Sequence, residues 1–178
     1  MKDQSSIESR AKQIKLLLMD CDGVLTDGRI WLIAEGSEQK SFNVRDGLGL
    51  ELWHRAGFTS GIISGRRSEI VERRADELKV RFVRQGVAEK IQAYEEIISE
   101  AAVAQSEVAF IGDDVNDIPL MLRVGLAVAV ADATGDTKAV AHLITGAKGG
   151  RGAIRETVEL ILKAQNRWTD LIEQYSHR

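Results

Sequence analysis

The stretch IKLLLMDCDGVLTDG, residues 14–28, decides how this chain is read. Ile14 to Met19 is a mostly apolar run of strand length, and Asp20, Asp22 and Asp27 follow it at once. Carboxylates this close repel one another, and burying them without a counter-charge is costly. A buried strand that delivers acids at its carboxyl end therefore needs cations brought to the same place by other parts of the chain.

Outward from this stretch, apolar segments alternate with amphipathic ones. A helix-like 47–56 precedes TSGIIS (59–64), and 67–78 precedes VRFV (80–83). The helix-like 88–104 precedes EVAFIG (107–112), and 116–123 precedes GLAVAV (125–130). Then come 136–141, HLI (142–144) and a last helix over 152–166. Short β-type runs separated by helices predict an α/β fold, a doubly wound parallel sheet with helices on both faces. Ligands of such sheets sit beyond the carboxyl ends of the strands.

One segment breaks the alternation. RIWLIAEGSEQKSFNV, 29–44, reads as two strands around a Gly36-Ser37 turn, a β-hairpin projecting Trp31, Ile33 and Phe42. A lone hairpin is marginally stable, so it is expected to pack on something else. At the other end, the tail 167–178 sets Trp168, Leu171, Ile172 and Tyr175 at helical spacing, the pattern of a packed helix, and runs out at a solvated His177.

At 178 residues the expectation is one domain spanning 1–178, with one core. The net charge is −3 with both signs interspersed, so no nucleic-acid footprint is visible. No apolar run approaches the roughly 20 residues of a membrane span. The single Cys21 forms no internal disulfide, which fits a reducing cytoplasm, and it reads as packing.

The polar residues at the predicted strand ends form one set. Asp20 and Asp22 follow the first strand, and Ser64, Gly65 and Arg66 the second. Lys90 opens the helix after the third, and Asp113, Asp114 and Asp117, in GDDVND, follow the fourth. Each has an ordinary explanation alone: a loop pair, a turn serine, a solvated helix lysine, an acidic helix start. Those explanations leave unexplained why all of them fall at successive strand ends, where a parallel sheet makes them converge. The expected counter-charges are a hard cation held by Asp20 and Asp113, plus the Lys90 ammonium. An oxygen-only donor set favours Mg²⁺ over zinc. A carboxylate nucleophile, a second carboxyl as acid and base, and a Ser/Lys phosphate cradle suit phosphoryl transfer through an aspartyl-phosphate.

This set resembles the haloacid dehalogenase superfamily of phosphatases and phosphotransferases. The resemblance implies Asp20 as nucleophile and Asp22 as general acid/base, with Mg²⁺ on Asp20, Asp113 and the Asp22 backbone carbonyl. It implies Ser64 and Lys90 as phosphate binders, and Asp114 and Asp117 as support for the ligands. Many members have Thr at the position of Val24; capless sugar-acid phosphatases often have an aliphatic residue there. Spacing leaves no room for a cap, so the site acts on a macromolecule or is closed by a neighbouring subunit. DGVLTDG, the hairpin, VRDGLGL (44–50), ISGR, GDDVND, VADA (130–133) and GGRGAIRE (149–156) together resemble the 3-deoxy-D-manno-octulosonate 8-phosphate phosphatase family. That resemblance implies a cytoplasmic, Mg²⁺-dependent homotetramer of the lipopolysaccharide pathway, assembled through its hairpins. It also implies a C-terminal tail able to close a neighbour's site, and Arg151 reaching toward the sugar acid. A relative acting on a nine-carbon sugar acid tends to have Glu at the position of Arg66, whose guanidinium suits a substrate carboxylate. The alternatives are that nine-carbon substrate, a phospho-receiver, whose phosphorylated Asp follows the third strand, and a silent scaffold.

Overall fold

The structure is a computed structural model and describes residues 4–34, 36 and 38–176. Ser37 of the hairpin turn and His177 lie outside the described residues. The opening stretch yields β1 (Leu16–Met19), buried along its whole length. After it come the hairpin strands β2 (Trp31–Leu32) and β3 (Glu38–Gln39), then α2 (Val44–Arg55) and β4 (Thr59–Ser64). The chain continues through α3 (Glu69–Glu77), β5 (Phe82–Gln85), α4 (Lys90–Ala101), β6 (Val108–Gly112), α5 (Ile118–Met121) and β7 (Leu126–Ala129). It ends with α6 (Gly135–Val140), β8 (Leu143–Ile144), α7 (Ala153–Ala164) and α8 (Trp168–Ser176). A first helix, α1 (Gln4–Ala11), precedes β1; the polar run that forms it shows no apolar face in the sequence.

Six strands make one parallel sheet in the order β5-β4-β1-β6-β7-β8. The expected doubly wound α/β fold is therefore observed. β1 lies at the centre, with Met19 level with Ile62 of β4 on one side and Ile111 of β6 on the other. The sheet reverses its winding across β1, so the crevice forms beyond the ends of β1, β4 and β6. The apolar runs of these strands have no polar alternation because helices cover both faces. Among the described residues, only the turn over 21–25, the hairpin and α2 stand between β1 and β4, and only α3 and β5 between β4 and α4, which leaves no cap domain there. No described helix is long and apolar enough to cross a membrane.

The hairpin forms with Trp31 opposite Gln39 and Leu32 opposite Glu38. Its side chains divide differently from the expectation. Trp31, Ile33 and also Leu32 are exposed, whereas Phe42 turns inward against the core under the Arg74 guanidinium. The tail forms a helix, but only part of its apolar side packs: Leu171 is buried and Trp168 takes Arg155 over its ring at 4.9 Å, whereas Ile172 and Tyr175 stay exposed, Tyr175 with Arg55 over its ring at 5.0 Å.

Candidate active site

The chain leaves β1 through a wide turn over 21–25, closed by the Thr26 amide donating to the Cys21 carbonyl at 3.0 Å. Gly23 sits in that turn at φ +92, a backbone region that disfavours any side chain. Space forbids one as well, since a Cβ there would lie 2.0 Å from Asp113 Oδ2. The loop after β1 and the loop after β6 are thus in direct contact through a glycine and a carboxylate. Asp20 is fixed at the head of this turn, its amide donating to Ile111 O at 3.0 Å.

Lys90 supplies the expected cation. Its Nζ lies 2.8 Å from Asp20 Oδ1 and 2.7 Å from Asp117 Oδ1, and all three side chains are almost wholly buried. Burial alone would push the lysine pKa down; the two aspartates more than offset that and hold it above its ordinary value. Burial raises Asp20 to about 6, partly countered by Lys90. Burial and the neighbouring charges of Asp20, Asp117 and Asp114 raise Asp113 to about 7. One lysine does not neutralise this many acids.

The donor set fits a divalent cation. Asp20, Asp113 and Asp117 offer oxygens that lie within 4.8 Å of one another. Asp117 is already committed, with Oδ1 on Lys90 and Oδ2 accepting from the Asp113 amide at 3.0 Å. Asp113 Oδ1, by contrast, is buried and has no protein partner. A buried carboxylate oxygen without a donor is a position a hard cation satisfies, and an all-oxygen set suits Mg²⁺. The Asp22 carboxylate stands outside this cluster, with Lys40 at Oδ1 and Arg66 near Oδ2. Asp114 is exposed and accepts from Val115 N at 2.7 Å, so it shapes the turn that carries Asp117.

Ser64 ends β4 nearly buried, and its Oγ accepts from Arg66 N at 3.3 Å. The turn Ser64–Arg66 is tied to the next strand end, with Val87 N donating to Ser64 O and Gly86 N to Arg66 O. Gly65 lies between them in the same turn. The Arg66 side chain is half exposed, its Nε 3.7 Å from Asp22 Oδ2 and its Nη2 3.4 Å from Glu38 Oε2. The structure thus brings Asp20, Ser64, Lys90, Asp113 and Asp117 to one sheet end, with Asp22 and Arg66 at its mouth. Arg151 stands farther out, exposed, with Nη2 3.7 Å from Asp27 Oδ2.

Three residues escaped the sequence reading. Lys40, beyond β3, has a fully buried side chain paired with Asp22 Oδ1. Asp46, on α2, is fully buried and caps a different helix: it accepts from Gly152 N and Arg155 N, both at 3.0 Å, at the start of α7. Asp132 accepts from Gly149 N at 2.9 Å. Asp46 and Asp132 lie inside VRDGLGL and VADA, so the signal was present without a partner to explain it. Together they seat GGRG against the turn after Asp20. Gly150 N donates to Val24 O at 2.8 Å, and a Cβ on Gly149 would lie 1.7 Å from Gly23 O. Cys21 is buried, and burial beside Asp22 and Asp20 pushes its thiol far up, in keeping with a packing role.

Known proteins share this arrangement. The family described as haloacid dehalogenase-like hydrolase matches residues 57–155. The 3-deoxy-D-manno-octulosonate 8-phosphate phosphatase KdsC of Yersinia pestis is 45% identical over 158 residues, covering 89% of this chain and 84% of its own. The Escherichia coli (strain K12) protein of the same name is 40% identical over 163 residues, covering 92% and 87%. Among solved structures, the Moraxella catarrhalis phosphatase in complex with magnesium, phosphate and KDO superposes with a TM-score of 0.95 at 40% identity, covering 97% of this chain and 99% of that one. A receiver is excluded by this kinship and by β5, which ends in Gln85 with no acid. The chain belongs to the haloacid dehalogenase-like hydrolases and, within them, to the 3-deoxy-D-manno-octulosonate 8-phosphate phosphatase family.

Proposed function

We propose that this chain is a Mg²⁺-dependent phosphatase that hydrolyses 3-deoxy-D-manno-octulosonate 8-phosphate to the free sugar acid and phosphate, in the cytoplasmic route to lipopolysaccharide. The observation that carries this is the buried acidic cluster with its orphaned Asp113 oxygen beside Lys90, at the strand ends of a fold shared with the KDO-bound relative. Bound by Asp20, Asp113 and the Asp22 carbonyl, Mg²⁺ would offset the charge of the phosphoryl group and of the acids around it. Ser64 Oγ and the Gly65 amide donate to the phosphoryl oxygens, while Lys90 keeps Asp20 ionised and aimed. Asp20 attacks phosphorus, Asp22 gives its proton to the departing sugar oxygen, and an aspartyl-phosphate forms. Asp22, now a carboxylate, takes a proton from the water that releases phosphate.

Arg66 is the residue for the sugar-acid carboxylate. Its contacts with Asp22 and Glu38 are long and half exposed, so a carboxylate of the substrate can replace them with shorter bidentate bonds. Arg151 takes a second contact at the rim. The exposed Trp31, Leu32 and Ile33 form the face through which four copies assemble, hairpin to hairpin. The reading is tested by phosphate release from the eight- and nine-carbon keto-deoxy acids and glucose 6-phosphate, with Mg²⁺ and with chelator. Preference for the eight-carbon acid, abolished by chelation, is expected. Release from all three alike removes the substrate assignment, and release from none leaves a scaffold.

A further inference from the structure

We propose that Lys40 is the positioning residue for the proton transfers made by Asp22, so that the hairpin takes part in the chemistry as well as in assembly. The inference rests on the reading of Asp22 as acid and base given above. The hairpin inverts the usual order of burial: Trp31 and Leu32 are 62% and 80% exposed, while the Lys40 side chain has no exposed surface. An ammonium taken wholly out of water is costly unless it is paired, so something selects this placement. Among the described residues its carboxylate partner is Asp22, through Oδ1 alone.

That contact makes the two Asp22 oxygens unequal. Oδ1 holds Lys40 and has Thr26 Oγ1 at 3.5 Å. Oδ2 faces Arg66 Nε at 3.7 Å, beyond hydrogen-bond length. The carboxyl is therefore pinned by one oxygen, and the other is left to carry the proton. Docking of the hairpin does not require this, because Glu38 on β3 already reaches across to Arg66.

An Asp20 oxygen bonds to phosphorus, the bond from phosphorus to the sugar oxygen breaks, and the proton on Asp22 Oδ2 moves to that oxygen. Water then bonds to phosphorus, its proton moves to Asp22 Oδ2, and the bond from Asp20 to phosphorus breaks. Lys40 keeps its own protons throughout and fixes where the Asp22 proton is delivered.

Two aryl phosphates of similar size separate this role from sugar binding and from folding. Phenyl phosphate has a poor leaving group that needs a proton; 4-nitrophenyl phosphate has a good one that hardly does. In the full-length protein with Mg²⁺, Lys40→Met should lower kcat/KM for phenyl phosphate at least about 30-fold, and for 4-nitrophenyl phosphate less than about threefold, as loss of aimed proton transfer requires. Lys40→Gln, which keeps polarity in the buried site, should show the same asymmetry. Equal losses on both substrates, or none on either, overturn the role of Lys40. Asp22→Asn serves as the reference. If it shows the asymmetry and the Lys40 variants do not, Lys40 alone is overturned; if it shows none, the reading of Asp22 falls and the proposal with it.

Discussion

The two aspartates of the DxD pair are held by different parts of the molecule. Asp20 is anchored by the sheet: its amide bonds to β6 and its carboxylate to Lys90 at the start of α4. Asp22, two residues on, is held by the hairpin through Lys40 and approached by Arg66 from the turn after β4. The proposed nucleophile thus depends on the buried central strands. Its partner depends on a short two-stranded ribbon that cannot be stable alone. If Asp20 attacks phosphorus and Asp22 moves the proton, as proposed above, the two functions should be separable by mutation.

The largest expected effect breaks the sheet side. Asp20→Asn keeps the volume of the side chain but removes the nucleophile, so kcat for phosphate release should fall about 10³-fold or more, with an unchanged circular dichroism spectrum. Near-normal turnover would move the nucleophile elsewhere. Next is Asp46→Ala, which strips a buried cap from α7 and leaves two backbone amides unpaired. A loss of about 2–3 kcal/mol in urea unfolding is expected, with activity falling as GGRG loosens.

Metal binding sharpens the comparison on the sheet side. Burial lifts Asp113 to about 7 and Asp20 to about 6, so each carries a proton below those values when no cation is bound. A protonated carboxyl is a poor ligand, so Mg²⁺ affinity should weaken as pH falls from 7.5 to 5.5, by on the order of tenfold, with protons released to the buffer on binding and detected by calorimetry in buffers of different ionisation enthalpy. The same shifts have a consequence for the free protein. Each group's folded value lies above its unfolded one, so it favours folding below about pH 4 and that advantage is lost as pH rises through 6 to 7. Added Mg²⁺ should therefore raise Tm more at pH 8 than at pH 5.5. The smallest effect on the fold, and the one that isolates the hairpin, is Ile33→Glu. Sedimentation should show a smaller particle, while unfolding of the subunit changes by less than about 0.5 kcal/mol.

The sheet side was also the legible side. Leu16–Met19, Thr59–Ser64 and Val108–Gly112 announce themselves as apolar runs, and the polar residues that end them fall where the topology must gather them. Lys40 was not legible for the opposite reason. In an exposed hairpin a lysine reads as a solubilising residue, and only the three-dimensional approach of β3 to the turn after β1 shows it buried. Asp46 was hidden differently: an acid in the first turn of α2 looks like support for its own helix, yet it serves α7, more than a hundred residues later. Phe42 reads as part of a projecting face only if the second strand continues to it; β3 ends at Gln39, and the chain between there and α2 turns Phe42 inward.

The fit of Gly149 against Gly23 sets an order of events during synthesis. By the time residue 117 has left the ribosome, every acid, the serine and the lysine of the crevice have been made. The turn after Asp20 nonetheless lacks its opposite wall, because Val24 O waits for Gly150 and no side chain elsewhere can stand in for a contact made of bare main chain. A nascent chain therefore carries the acids, serine and lysine of the crevice before the segment that closes it, and a chain ending before residue 150 lacks both that wall and the buried face of α7.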